Sequence, residues 1–231
     1  METTGINGLI DWLANIRLWQ VVVIAAILFA IRMFLKPYKS RQAKSALETV
    51  DSALIAVVLV FLVIRPFLVQ TFFIPSGSML PTLDLGDRIL VNKIDYRFGH
   101  PKIGDIVVFK APPAATYDGS EPDFIKRLVG LPGDTLEVKD GALWRNGKRL
   151  NEPYLNEEYI LYRDEPHNPG RPIVLNGEML PFKVPKGKFF MMGDNRNNSA
   201  DSHVWGPLDQ NRVIGRAWVK FWPPMRIGLM H

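Results

Sequence analysis

A mostly β protein behind two N-terminal transmembrane helices is the fold that the sequence predicts, on three observations. The apolar residues of the 231-residue chain crowd its front. After residue 70, short β-rich runs recur between Gly-Asp pairs. No amphipathic helical pattern of useful length appears in that second part. The change of period marks two parts with different surroundings.

The front comes first. From Leu18 to Leu35 the only strongly polar residues are Gln20 and Arg32, and such a run is close to the ~20 residues that cross a bilayer. From Ala53 to Ile64 no residue is polar; with its flanks this run predicts a second span over about 50–68. A cleavable signal peptide fits poorly. Residues 1–17 carry Glu2, Asp11 and Arg17, and Arg32-Met33-Phe34-Leu35-Lys36 is no small-residue cleavage site. Arg32, Lys36, Lys39, Arg41 and Lys44 lie between the runs, and basic residues in a short loop mark the cytoplasmic side. The expectation is a membrane anchor over 1–69, with a basic cytoplasmic loop at 36–49, and a domain over 70–231 on the extracytoplasmic face.

Charge follows the same division. Residues 1–65 hold 7 Lys+Arg against 4 Asp+Glu, leaving 21 against 19 in residues 66–231, so the net +5 splits into +3 and +2. The second part is nearly balanced and shows no basic stripe, which argues against nucleic acid as a partner. With no cysteine there is neither a disulfide framework nor a thiolate metal site, and stability must come from a core.

Strands are expected at Arg88–Lys93, Ile106–Lys110, Phe124–Val129, Thr135–Lys139, Lys188–Met192 and Arg212–Phe221, where β-branched and aromatic residues concentrate. Gly86-Asp87, Gly104-Asp105 and Gly133-Asp134 read as turns, the glycine admitting left-handed backbone and the aspartate capping it. From about 140 to 185 the composition shifts to six prolines, with Asn-Gly at 146–147 and 176–177. Asn-Gly is a strong hairpin signal, so this stretch is expected to be an inserted β-ribbon subdomain.

Chemistry points to Ser78, in Ile74-Pro75-Ser76-Gly77-Ser78-Met79-Leu80-Pro81-Thr82 just behind the apolar runs. A serine nucleophile needs a base. Lys126 lies in the apolar strand Phe124-Ile125-Lys126-Arg127-Leu128-Val129, where desolvation favours the neutral amine. Alternation sets Lys126 and Arg127 on opposite faces, so one can be buried while the other stays wet. His203 is the histidine that neighbours other candidate residues, and a Ser78-His203-Asp arrangement stays open on spacing alone. Ser78 has no Gly-x-Ser-x-Gly elbow, and neither Ser76 nor Ser78 begins a Ser-x-x-Lys. In Asp194-Asn195-Arg196-Asn197-Asn198-Ser199-Ala200-Asp201 a calcium loop fails, because Arg196 takes the third ligand position and Ser199 the glycine's.

Four stretches in order resemble the type I signal peptidases, membrane-bound Ser/Lys serine proteases: Pro75–Thr82, Gly86–Val91, Lys126–Asp134 and Gly193–Ser202. Two spans before an outer domain resemble the Gram-negative form. The resemblance implies two antiparallel sheets and no cofactor or metal. It implies Ser78 as nucleophile and Lys126 as general base. Ser76 matches the serine that joins the nucleophile's N–H in the oxyanion hole, and Ser199 the one that orients the lysine. Asp201 matches a supporting carboxylate, and Arg127, Asp194 and Arg196 fall among the supporting positions. Phe124 and Met191 match residues packed around the lysine, and Ile74 one lining the substrate groove. Asn197 and His203 depart from the usual Asp and Arg, which puts the ion pair at Asp201 in doubt and leaves the dyad intact.

The function so implied is removal of signal peptides from exported preproteins after small residues, at a bacterial inner membrane, by a protein functional as a monomer. The partners are preprotein signal peptides and the lipid bilayer. An extended peptide along a sheet edge presents alternate side chains to one surface, and shallow apolar pockets there admit alanine. Self-cleaving repressor-like Ser/Lys proteases are a rival, as is a non-catalytic membrane-anchored β domain. The aromatics Phe72, Phe73, Trp218, Phe221 and Trp222 are divided between core and membrane surface. Phe72 and Phe73, adjacent in a strand, must face opposite ways, and Trp222 is expected at the bilayer interface.

Overall fold

The computed structural model describes residues 18–38, 40–60, 69–155 and 170–230. The chain divides into two compact units, Met1–Gln70 and Thr71–His231.

The first unit contains helices α1 (Leu18–Leu35) and α2 (Arg41–Val58). Ser40 caps α2 by accepting the Ala43 N–H at 3.1 Å, and Arg32 Nε donates to Asp51 across the pair at 2.6 Å. The expected spans are corrected here: among the described residues no helix is long and apolar enough to cross a membrane. Eighteen residues rise roughly 27 Å at 1.5 Å each, short of a core about 30 Å thick. The second helix begins at Arg41, not near residue 50, because Lys44, Glu48 and Asp51 sit as comfortably in a helix as in a loop. Most of the expected basic loop is therefore helical. Residues 61–68 lie outside the described set.

The second unit is built from strands, as its runs of β-branched and aromatic residues favour. They are β1 (Val69–Phe73), β2 (Arg88–Asn92), β3 (Ile106–Lys110), β4 (Asp123–Gly130), β5 (Thr135–Lys139), β6 (Ala142–Arg145), β7 (Lys148–Arg149), β8 (Val174–Leu175), β9 (Glu178–Lys183), β10 (Lys188–Met192), β11 (Leu208–Asp209), β12 (Val213–Trp222) and β13 (Gly228–Leu229). Two four-residue helical turns, α3 (Asp95–Phe98) and α4 (Ser202–Trp205), complete it. One sheet runs β1-β2-β12-β3-β4-β10-β11, with β13 also on β12, and a second runs β7-β6-β5-β9-β8. The pairings within β2–β12, β12–β3, β3–β4, β4–β10 and the second sheet are antiparallel. The second sheet takes in β5, so it starts earlier than the change in composition at residue 140.

Gly86, Gly104 and Gly133 have φ of 87°, 94° and 91°, the left-handed backbone that the three Gly-Asp turns need. Both Asn-Gly pairs have positive φ at both residues and close the β6–β7 and β8–β9 hairpins.

Burial forms three clusters. Val129, Phe190 and Met192 of the first sheet meet Leu136, Val138, Leu143, Val174 and Met179 of the second. Ile74, Met79 and Leu83 from the Ser78 segment pack on Ile89, Val91, Ile106, Val108 and Ala217. Val107, Phe109, Leu128, Phe189 and Met191 form the third with Trp205 and Leu208. Strand β3 is covered on both faces, which explains its unbroken apolar run Ile106–Phe109.

Candidate active site

Ser78 lies in a 3-10 turn, Gly77–Met79, held down by the buried Met79. Lys126 comes from the middle of β4, paired across β3 with Val107. Its Nζ is 2.5 Å from Ser78 Oγ, within hydrogen-bond reach, and Ser76 Oγ is 3.5 Å from Ser78 Oγ. Lys126 is 5% exposed. Burial pushes its ammonium down from 10.5 to about 8, against the pull of the Asp201 and Asp194 carboxylates. Phe124, two residues back on the same face of β4, holds its ring centroid 5.8 Å from Nζ. Met191 is buried in the third cluster beside Leu128 and Phe124.

The loop after β10 closes over the serine turn. The Asn195 N–H donates to the Ser78 carbonyl at 3.1 Å, Asn195 Nδ2 to the Gly77 carbonyl at 3.0 Å, and Thr82 Oγ1 to Asp194 at 2.6 Å. Gly193 lies so close that a Cβ there would strike the Ser78 carbonyl oxygen and the Ser199 side chain. Its φ is not positive, so space and not backbone freedom requires glycine at this position.

Asp201 is wholly buried. It accepts the Gly193 N–H at 2.9 Å, the His203 N–H at 3.2 Å and approaches His203 Nδ1 at 2.6 Å. Burial works to raise its carboxyl, but the His203 ring, the Gly193 N–H and Lys126 outweigh that and hold it below the ordinary carboxylate value. Asp201 is thus hydrogen-bonded to a histidine ring through Oδ1 and Nδ1. His203 bonds Asp201, while the amine bonded to Ser78 Oγ belongs to Lys126.

Three expectations change. Arg127 is 1% exposed and not wet; it clasps Asp194 through Nε at 2.8 Å and Nη2 at 2.7 Å, and donates from Nη1 to the Gly104 carbonyl. Two parallel N–H···O bonds from a guanidinium to a carboxylate add geometric specificity as well as strength. Ile74 is 2% exposed and packs inward, because its backbone pairs with Gly86 and Asp87 and turns the side chain to the core. It has no open face for a peptide. Ser199 makes no hydrogen bond to Lys126, and its Oγ is buried without a partner.

Sequence reasoning missed four residues. Asn195 and Thr82 tie the two loops together as described. Glu152 pairs with Arg196, whose Nη1 reaches it at 3.0 Å and whose Nη2 is also bonded to it. Tyr154 donates to Glu152 at 2.7 Å and places its ring 3.8 Å from the Arg127 guanidinium. Glu152 and Tyr154 sit in Asn151-Glu152-Pro153-Tyr154, whose polar, proline-bearing pattern signals only a loop.

Comparison with known proteins bears on this geometry. The sequence profile of the family described as "Signal peptidase, peptidase S26" matches residues 46–222. The chain is similar to "Probable signal peptidase I-1" of Synechocystis sp., 44% identical over 183 residues, covering 78% of this chain and 85% of the relative. It is similar to "Signal peptidase I" of Bacillus licheniformis, 43% identical over 80% of this chain and 94% of the relative. It is also similar to "Thylakoidal processing peptidase 1, chloroplastic" of Arabidopsis thaliana, 42% identical over 81% of this chain and 50% of the relative. A crystal structure of a signal peptidase I from Enterococcus faecalis aligns with a TM-score of 0.37 at 30% identity, covering 51% of this chain and 96% of that one; a score so low adds nothing to the fold described above. With the profile spanning most of the chain and relatives above 40% identity, this chain belongs to the signal peptidase family, peptidase S26, whose members are serine endopeptidases.

Proposed function

We propose that the chain removes N-terminal signal peptides from exported preproteins with Ser78 as nucleophile and Lys126 as general base. The observation that carries this is the 2.5 Å approach of a buried amine to a serine hydroxyl. Lysine in water, with a pKa near 10.4, is almost wholly protonated at neutral pH; at about 8 a useful fraction is free amine. That amine takes the Ser78 proton as Oγ attacks the scissile carbonyl. The oxyanion is held by the Ser78 N–H and the Ser76 hydroxyl. Lys126 returns the proton to the leaving amine, then takes one from the water that cleaves the acyl-enzyme. Asp201 acts behind the lysine through its charge, and no metal or organic cofactor enters any step.

The edge position of β1 supports strand-like docking of the signal peptide, since this strand runs directly into the segment bearing Ser76 and Ser78. Attachment to a bacterial inner membrane, with the second unit outside, draws support from the likeness to bacterial signal peptidases and from the basic residues between 32 and 44. A lipid-facing patch is supported by Phe73, Trp218, Met225, Ile227 and Leu229, exposed by 58%, 45%, 98%, 62% and 63%. Arg226, inside that patch, pairs with Asp84 and Asp87, and Asp87 accepts the Ile74 N–H, so the patch is tied to the serine segment. Trp222 is only half-buried and is not among the most exposed side chains, so Trp218 replaces it as the interfacial candidate.

Incubating the purified chain with a preprotein, beside Ser78→Ala, tests the function. Cleavage after a small residue by the first and none by the second is the expected result; equal cleavage by both removes Ser78 from the reaction.

A further inference from the structure

We propose that Glu152 is a positioning residue for the peptidase reaction, the latch of a strap that holds the Gly193–Ser199 loop against Ser78. The inference rests on the Ser78/Lys126 reading and adds a component that lies outside the four stretches that resemble the family.

The strap is the segment 150–155. Leu150 and Leu155 at its ends pack on the cluster joining the two sheets. Backbone bonds from the Leu150 N–H to Leu143 and from the Leu155 N–H to Glu152 fix its path. Between these anchors Glu152 and Tyr154 engage both buried arginines of the site. Glu152 takes the two terminal nitrogens of Arg196, with side chains 6% and 2% exposed, and accepts the Tyr154 hydroxyl. The Tyr154 ring lies on the guanidinium of Arg127.

Each arginine passes this restraint inward. Arg196 Nε donates to the Gly193 carbonyl at 3.0 Å, and Gly193 abuts both the Ser78 carbonyl and Ser199. Arg127 clasps Asp194, which accepts Thr82 from the far side of the serine turn. A guanidinium in this setting has a fixed fork of donors. With the Glu152 carboxyl group on its two terminal nitrogens, Arg196 presents Nε to Gly193 in one orientation; without that group, this restraint on Gly193 is lost. Misplacing reacting groups by about an ångström from a distance costs on the order of 100-fold in rate.

The test uses the full chain, comparing wild type, Ser78→Ala, Glu152→Gln, Glu152→Ala, Arg196→Ala and the double variant Glu152→Ala/Arg196→Ala on one preprotein. Thermal melts define a temperature at which all are folded. Glu152→Gln keeps the shape and removes the charge, so it carries the test if alanine at 152 prevents folding. The expected result is a kcat lower by about 10- to 100-fold in the Glu152 variants with KM within about twofold. The double variant should lose no more than the larger single loss, because both changes break one chain of contacts. Wild-type kcat in Glu152→Gln, or single losses that multiply in the double variant, overturns the latch while leaving the dyad standing, provided Ser78→Ala is inactive. Processing by Ser78→Ala overturns the dyad reading and the latch with it.

Discussion

Gly193 presses on Ser78: its Cα leaves no room for a methyl group between the Ser78 carbonyl and Ser199. Residues distant in the sequence of the second unit are thereby held in contact at the point where the reaction is proposed. Gly193→Ala should destabilise the domain by about 1–3 kcal/mol through overpacking and reduce processing further than stability alone accounts for. Chemical denaturation and kcat measured on the same sample check this. An alanine variant as stable and as active as the parent would show that the loop yields without cost.

Lys126→Ala should abolish processing, with a fall of about 100- to 10,000-fold, the range for loss of a general base. His203→Ala should keep a substantial fraction, because His203 bonds Asp201 and not Ser78. Equal and complete loss in both folded variants would move the base role to histidine.

The acid limb of kcat/KM should lie near pH 8, where burial sets the Lys126 amine, with activity rising as the amine loses its proton. Asp201 raises the affinity of Lys126 for that proton. Asp201→Asn should therefore shift the limb to lower pH, whatever it does to the maximum. A limb that moves upward, or stays in place, would contradict the assignment.

The same burial carries a stability cost. An unfolded lysine holds its proton up to about pH 10.5, while folded Lys126 releases it at about 8. Between these values the unfolded chain binds more protons and stability rises with pH; below 8 the deficit is constant. A shift of that size, which already includes the pull of Asp201 and Asp194, corresponds to about 3 kcal/mol. Lys126→Met should be inactive and more stable at pH 7 by up to about 3 kcal/mol, with the gap closing as pH rises from 8 to 10. Denaturation midpoints across that range measure it, and a wild type more stable at pH 7 would refute it.

A chain lacking residues 1–65 should bind vesicles through Trp218, Met225, Ile227 and Leu229, with a blue shift in tryptophan emission. Trp218→Ala should weaken binding and abolish most of the shift, whereas Trp222→Ala should do neither. Unchanged binding by Trp218→Ala would remove that residue from the membrane surface.

The strands and turns of the second unit were legible in the sequence because their signals are local. Runs of β-branched and aromatic residues placed β2, β3, β5 and β10 within a residue or two of their observed ends, and Gly-Asp and Asn-Gly pairs named turns that need positive φ. Phe72 and Phe73 divide as period two demands: the first packs on the second core cluster and the second is 58% exposed. The boundaries of the second helix were not legible, since a polar helix start and a basic loop share a composition.

Ser78 and Lys126 could be singled out from residue type and apolar context, and membership of the peptidase family followed from four ordered stretches. Their 2.5 Å approach was decided by tertiary structure, through β4 lying under the serine turn. Tertiary structure alone also decided that Arg127 is buried, that Ile74 turns inward, and that Glu152 answers Arg196 across 44 residues. The physical reason is one of range. Backbone propensity and alternation are read over a few neighbouring residues, whereas the partner that lets a charge leave water is chosen by packing, and packing brings together segments whose sequences carry no mark of one another.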